Sequence, residues 1–196
     1  MSNQLNLFQK EVYSNPIAGL SYHPNYISQE EEAFLFTQID AQNWLLDLKR
    51  RVQHYGYKYD YRARRIDVSM KIGTLPSCLE NIAKRLYTEG VFEDIPDQVI
   101  VNEYEPGQGI SPHIDCEPCF EDTIVSISLN STAVMEFCRN NIKIPILLEP
   151  RSAVILKGES RYEWTHSIPA RQKDVFENQV FQRKRRVSLT FRKVIL

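Results

Sequence analysis

The sequence predicts an α+β chain that is mainly β, a helix-supported β-sandwich or jelly roll. Helical patterning is confined to the stretch before Gly90, and from Gln98 onward the chain breaks into short β-rich runs with turn residues between them. Helices first and strands afterwards argue for layers packed around one core rather than for alternating βαβ units.

Each element has its own signal. Ser28 with Glu31 three positions on is a capping box, and it leads into Ala33-Phe34-Leu35-Phe36 and Ile39. A second helix starts near Pro76 and Ser77, carries Leu79, Ile82, Ala83 and Leu86 at helical spacing, and stops at Gly90. The strands follow as Val99–Val101, Thr123–Leu129, Ala133–Cys138, Ile144–Leu148, Ala153–Leu156 and Val187–Ile195. There is no internal repeat, low-complexity tract or Pro/Gly/Ser-rich linker, so the 196 residues are read as one domain.

Composition narrows the class. With 42% hydrophobic and 25% charged residues the chain is ordinary globular material. The net charge of −1 does not by itself announce a nucleic-acid partner. No apolar run approaches the ~20 residues of a membrane span. Met1-Ser2-Asn3-Gln4-Leu5-Asn6 has neither a basic leader nor an apolar core, so a soluble, cytoplasmic monomer is expected. The first ~20 residues read as mobile or as packed along the domain edge. Cys78, Cys138 and the CxxC pair Cys116 and Cys119 are accordingly read as free thiols, and two thiolates without further ligands make a poor zinc site.

Chemistry is concentrated in His113-Ile114-Asp115 and in His166, some fifty residues on. Two imidazoles and one carboxylate are the ligand set that holds non-haem Fe(II) on one face and leaves positions open for a cosubstrate and O2. His113 and Asp115, two apart on extended chain, point the same way, and Trp164-Thr165-His166 places the third ligand on a neighbouring strand. HxD alone is a weak motif. A second cluster strengthens it: Arg186-Val187-Ser188-Leu189-Thr190-Phe191-Arg192 puts two arginines on one face of a strand. Burying both is costly unless an anion pairs with them, and 2-oxoglutarate, a dicarboxylate, is such an anion. The plain alternative is a solvated basic edge strand.

These residues, together with Asn102-Glu103-Tyr104 and Pro112, resemble the AlkB family of Fe(II)/2-oxoglutarate dioxygenases over roughly residues 45–194. The resemblance implies a double-stranded β-helix with supporting N-terminal helices and a β-hairpin substrate lid. Residues 1–97 would be helical support and nucleotide-recognition lid, and residues 98–196 the catalytic core. It implies that His113, Asp115 and His166 bind iron. Arg186 with Tyr104 would hold the far carboxylate of 2-oxoglutarate, and Arg192 with Asn102 the carboxylate nearer the metal. The implied reaction couples decarboxylation of 2-oxoglutarate to succinate with hydroxylation of a substrate C–H. On an N-methyl group the product collapses to formaldehyde, as in DNA repair or RNA demethylation. The runs Phe120–Leu129 and Gly158–His166 look most like AlkB homologues that hydroxylate a modified wobble uridine in tRNA. In that branch an RNA-recognition module and a methyltransferase domain accompany the oxygenase, and these residues carry neither.

The expected substrate is therefore a base in DNA or RNA, dealkylated at nitrogen, with tRNA uridine hydroxylation and a non-catalytic binding role as alternatives. Residues 49–71 hold Lys49, Arg50, Arg51, Lys58, Arg62, Arg64, Arg65 and Lys71, interleaved with Tyr55, Tyr57, Tyr59 and Tyr61. Cations answer phosphates and aromatic faces stack on bases; alternating tyrosines also fit a plain half-buried strand. By the family pattern the substrate contacts fall on Tyr57 and Tyr59, with Tyr55, Arg51 and Glu117 beside them. Arg183-Lys184-Arg185 reads as a solvated turn or a phosphate contact.

Overall fold

The computed structural model describes residues 16–46 and 48–196; the readings made on the first fifteen residues lie outside them. In chain order the elements are β1 (Leu20–His23), α1 (Gln29–Asp40), β2 (Val52–Tyr55), α2 (Ser77–Thr88), β3 (Gln98–Tyr104), β4 (Ile110–His113), β5 (Phe120–Leu129), β6 (Ala133–Arg139), β7 (Ile142–Leu148), β8 (Ala153–Leu156), α3 (Glu159–Tyr162), β9 (Thr165–Ile168), β10 (Lys173–Phe176), β11 (Gln179–Gln182) and β12 (Arg186–Val194).

The strands form a jelly roll. A 6-stranded antiparallel sheet in the order β1-β8-β5-β12-β3-β2 faces a 4-stranded sheet in the order β4-β9-β6-β7, and β10-β11 is a separate hairpin. The helices α1 and α2 cover the outer face of the large sheet. The capping box at Ser28 is formed in both directions. Leu35 and Ile39 of α1 and Leu79, Ile82, Ala83 and Leu86 of α2 pack on Val99, Val101, Val125, Ile127, Ala153, Val187, Leu189 and Phe191.

The pleat explains what the other face carries, because side chains alternate along a strand. On β12 the residues Val187, Leu189 and Phe191 go to the helices, so Arg186, Ser188, Thr190 and Arg192 face the small sheet. On β3 the same alternation sends Ile100, Asn102 and Tyr104 inward. The strand bearing both arginines is flanked by β5 and β3, which rules out the solvated edge strand.

Several local readings change. The expected hairpin lid is not formed as a regular hairpin: β2 ends at Tyr55, and beyond it only isolated bridges, Tyr57↔Lys71 and Asp60↔Arg65, remain. Asp60 accepts from the amides of Arg62 and Ala63, and Asp67 from that of Ser69. These side-chain bonds compete with a ladder. Cys116 and Cys119 are joined as a disulfide, because a short 3-10 turn (Glu117–Cys119) brings their Cα atoms to 5.3 Å. Cys78 and Cys138 stay free. Arg183 and Arg185 are not a solvated turn. Arg183 grips the buried Asp174 through two nitrogens, at 2.6 and 2.8 Å, and Arg185 bridges Asp40 and Glu103. The short strands β1, β10 and β11 carry no signal of their own in the sequence. Among the described residues no helix is long and apolar enough to cross a membrane.

Candidate active site

Between the two sheets lies a cavity of about 360 Å³. Its wall on the large-sheet side is the inward row of β12, β3, β5 and β8; on the other side stand β4, β9 and Met135 of β6.

His113 and His166 are direct cross-strand partners on β4 and β9, with ring centroids 4.3 Å apart. Pro112, beside His113, is tolerated because β4 is an edge strand. His113 Nδ1 lies 2.8 Å from the Ser111 carbonyl. That carbonyl can only accept, which fixes the proton on Nδ1 and leaves the Nε2 lone pair for a ligand. Asp115 follows the end of β4, is 8% exposed, and holds its Oδ2 3.9 Å from His166 Nε2. Its Oδ1 accepts from Arg192 Nη2 at 2.9 Å.

The electrostatics suit a metal. Burial alone would raise the Asp115 pKa, but Arg192, then His166 and His113, outweigh it and hold the carboxyl well below its usual range. Burial and then the neighbouring His113 push His166 down to about 3, so its imidazole is neutral at pH 7. Among the described residues no three His, Cys, Asp or Glu side chains stand in the spacing of a formed metal cage. Asp115 is turned onto Arg192, and the imidazoles lie ring against ring. The donor chemistry nevertheless fits Fe(II): two imidazoles, that of His166 neutral at pH 7, and a carboxylate held ionised line the same cavity.

The other end fits a carboxylate. Arg186 is 2% exposed; its Nη2 donates to Ser128 Oγ at 2.7 Å, while Nε and Nη1 are buried without a partner. Burial lowers its pKa to about 10, which still leaves it charged at pH 7. A buried cation with unused donors facing a cavity is a seat for an anion. Tyr104, opposite Arg186 in the β3–β12 register, has its ring 5.4 Å from the guanidinium. Asn102 lines the cavity too, but its Oδ1 takes the Nε–H of Arg50 at 2.9 Å, and Arg192 instead reaches Gln98 and Asp115.

The expected substrate contacts separate. Tyr59 lines the cavity, 5.9 Å from Phe120 and 5.0 Å from Tyr61 between ring centroids. Tyr57 is buried in the core, with Lys71 over its ring. Tyr55 packs on the helix side of the sheet. The even spacing misleads because Gly56 interrupts it: at φ 77° its backbone runs so close to Asp97 that a Cβ would lie 1.8 Å from that carbonyl oxygen. Arg51 lies over Trp44 and pairs with Glu103, away from the cavity, and Glu117 is exposed on the turn. In their place Tyr61, Arg50, Arg64 and Phe120 complete the wall. The basic and aromatic mixture of residues 49–71 contained all of these but Phe120; which ones turn inward depends on the looped backbone.

A jelly roll enclosing two histidines, an ionised aspartate and a buried arginine defines a non-haem iron oxygenase that takes a 2-oxo acid. The family model described as 2OG-Fe(II) oxygenase superfamily matches residues 41–192, and the chain belongs to that family. Its cofactor and cosubstrates are accordingly Fe(II), 2-oxoglutarate and O2. Within it the chain is homologous to the AlkB homologues. It is 39% identical to the Arabidopsis thaliana "Alkylated DNA repair protein ALKBH8 homolog" over 91% of this chain and 59% of that one. It is 36% identical to the Xenopus tropicalis "tRNA (carboxymethyluridine(34)-5-O)-methyltransferase alkbh8" over 94% of this chain and 33% of that one. The chain thus spans less than two thirds of the Arabidopsis relative and about a third of the Xenopus one. The solved structure of OsALKBH1 shares the fold, with a TM-score of 0.71 at 17% identity over 93% of this chain and 99% of that one.

Proposed function

We propose that this chain is an Fe(II)- and 2-oxoglutarate-dependent oxygenase that hydroxylates an alkyl carbon of a modified uridine in tRNA and leaves the hydroxyl in place. The observation that carries the reading is the charge of the cavity wall. Asp115 is the one carboxylate among its lining residues, against Arg50, Arg64, Arg186 and Arg192. Arg192 is committed to Asp115, and Arg186 is suited to 2-oxoglutarate. Arg50 and Arg64 bond only to neutral oxygens, those of Asn102 and of the Ile114 main chain, so their charge is available to the substrate. Bases such as 1-methyladenine and 3-methylcytosine carry a positive charge that this wall repels, whereas a neutral or acidic uridine and its phosphates are attracted. Glu117, the acid that could have answered a cationic base, is not among the cavity residues. The name of the Xenopus relative, a methyltransferase of carboxymethyluridine at position 34 of tRNA, supports tRNA as the substrate, while that of the Arabidopsis relative speaks of alkylated DNA.

The residues divide the work. His113, Asp115 and His166 would hold the iron, which when bound would supply O2 activation coupled to the two-electron oxidation of 2-oxoglutarate to succinate and CO2. Arg186, with Tyr104 against it, fixes the far end of the dicarboxylate. Arg192 holds Asp115 ionised and oriented. Tyr59 and Tyr61 offer ring faces to a base drawn out of its stack, and Arg50 and Arg64 draw its charge inward.

The test supplies Fe(II) and 2-oxoglutarate with tRNA bearing a 5-substituted wobble uridine, beside DNA and RNA oligonucleotides carrying 1-methyladenine or 3-methylcytosine. The expected outcome is succinate with one oxygen added to the uridine nucleoside and no formaldehyde. Formaldehyde from the methylated bases with an unchanged uridine overturns the proposal in favour of N-dealkylation.

A further inference from the structure

Arg161 is the largest fully buried side chain described, at 1% exposure, and no carboxylate is bonded to it. It lies in α3, where a polar, ionised residue has no packing reason to be. Its Nη1 donates to the main-chain carbonyl of Asp115 at 2.9 Å and its Nη2 to that of Cys116 at 3.2 Å, while Nε is buried without a partner. Its guanidinium also sits 4.9 Å from the Tyr162 ring centroid. A buried guanidinium normally answers an anion; here it is spent on two successive peptide carbonyls.

The position of those carbonyls gives the arrangement its sense. Arg161 belongs to the segment that runs through Trp164 into β9 and His166, whereas Asp115 and Cys116 belong to the loop leaving β4 after His113. The β4–β9 ladder joins the two segments only at Ile110↔Ile168 and His113↔His166, with a register shift between, and Asp115 lies beyond its last pair. Nothing in the ladder fixes Asp115 relative to His166. Arg161 does so, by reaching across from the histidine's segment to the aspartate's backbone. Arg192 holds the same residue from the side-chain end, at Oδ1.

We infer that Arg161 is a positioning residue for the metal: its guanidinium ties the Asp115 backbone to the His166 segment and so sets the spacing of carboxylate and imidazole that iron requires. The inference rests on the assignment of His113, Asp115 and His166 as iron ligands. Outer partners that orient ligands are generally worth roughly 10–100-fold in metal affinity.

The experiment measures Mn(II) binding to metal-free wild type, Arg161→Gln, Arg161→Lys and the core variant Leu148→Ala by calorimetry, with thermal melts of each metal-free protein. Asp115→Ala is measured alongside. Expected are roughly 10–100-fold weaker Mn(II) binding by Arg161→Gln, partial recovery in Arg161→Lys, which keeps a charge and a donor, and wild-type affinity in Leu148→Ala despite its lower melting temperature. Wild-type affinity in Arg161→Gln overturns the inference, as does failure of both Arg161 variants to fold, since the side chain is then a stability element. If Asp115→Ala binds Mn(II) as wild type does, it is the ligand assignment that fails, whatever the Arg161 variants show.

Discussion

At the scale of single residues, the cavity is explained by polar groups buried where a core would place apolar ones. Arg186 is the clearest. Its unused Nε–H and Nη1–H leave a cation in low dielectric that an incoming carboxylate would complete. Replacing it with Met removes that attraction without leaving a void. Binding of 2-oxoglutarate, measured by calorimetry with Mn(II) present, is expected to weaken by about 3 kcal/mol or more, the scale of a broken buried pair. An unchanged affinity would remove Arg186 from the site. This residue was legible in the sequence because Arg-x-Ser-x-Thr-x-Arg interleaves with Val, Leu and Phe at strand period. Arg161 was not: a single arginine in a short helical turn carries no period, and its bonds go to main-chain carbonyls that no sequence marks.

Elements place these residues, and the tightest of them is the β4–β9 pair. Gly109, at the entrance to β4, has its backbone so close to β9 that a Cβ would lie 2.1 Å from the Ile168 carbonyl oxygen. Gly109→Ala must therefore push β4 away, and with it His113 from His166. The expected results are a loss of about 1–3 kcal/mol in thermal or urea unfolding and a loss of Mn(II) affinity. Lost stability with intact metal binding would mean that the ladder adjusts without moving the histidines. The long elements, α1, α2, β3, β5, β6 and β12, were readable from capping and periodicity. Short β1 and the β10-β11 hairpin were not, since these strands carry too few residues to show a period and are defined by the partner they pair with. Residues 55–61 depart from a hairpin for a related reason: tyrosines at every second position look like a strand, but Gly56 and the Asp60 turn redirect the backbone between them.

For the whole molecule, the two sheets and their hairpin are fastened by carboxylates held against arginines. Asp174, fully buried, takes Arg171 and Arg183 and accepts from the Val134 amide, joining β10, β6 and the approach to β12. Glu103 joins Arg51 and Arg185. Burial would raise both pKa values, but the arginines outweigh it and hold them below their ordinary 3.8 and 4.5. Groups whose pKa is depressed on folding contribute stability above the unfolded value and lose it as pH falls toward the folded one. Because His166 is also buried neutral, with its pKa pushed down to about 3, the melting temperature of the metal-free protein is expected to begin falling below about pH 6.5 and to fall further below about pH 5, where these carboxylates take up protons. Asp174→Asn should melt lower at pH 7 and show a shallower acid slope; an acid slope equal to wild type would mean that other carboxylates set it.

The most direct measurement of the iron and 2-oxoglutarate site is succinate formation from 2-oxoglutarate, with and without Fe(II), in wild type, Asp115→Ala and Arg186→Met. The expected result is Fe(II)-dependent succinate in wild type, none in Asp115→Ala, and, in Arg186→Met, turnover restored in part by raising 2-oxoglutarate. Succinate formed by Asp115→Ala at the wild-type rate, or by wild type stripped of iron, would contradict the site described at the junction of the two sheets.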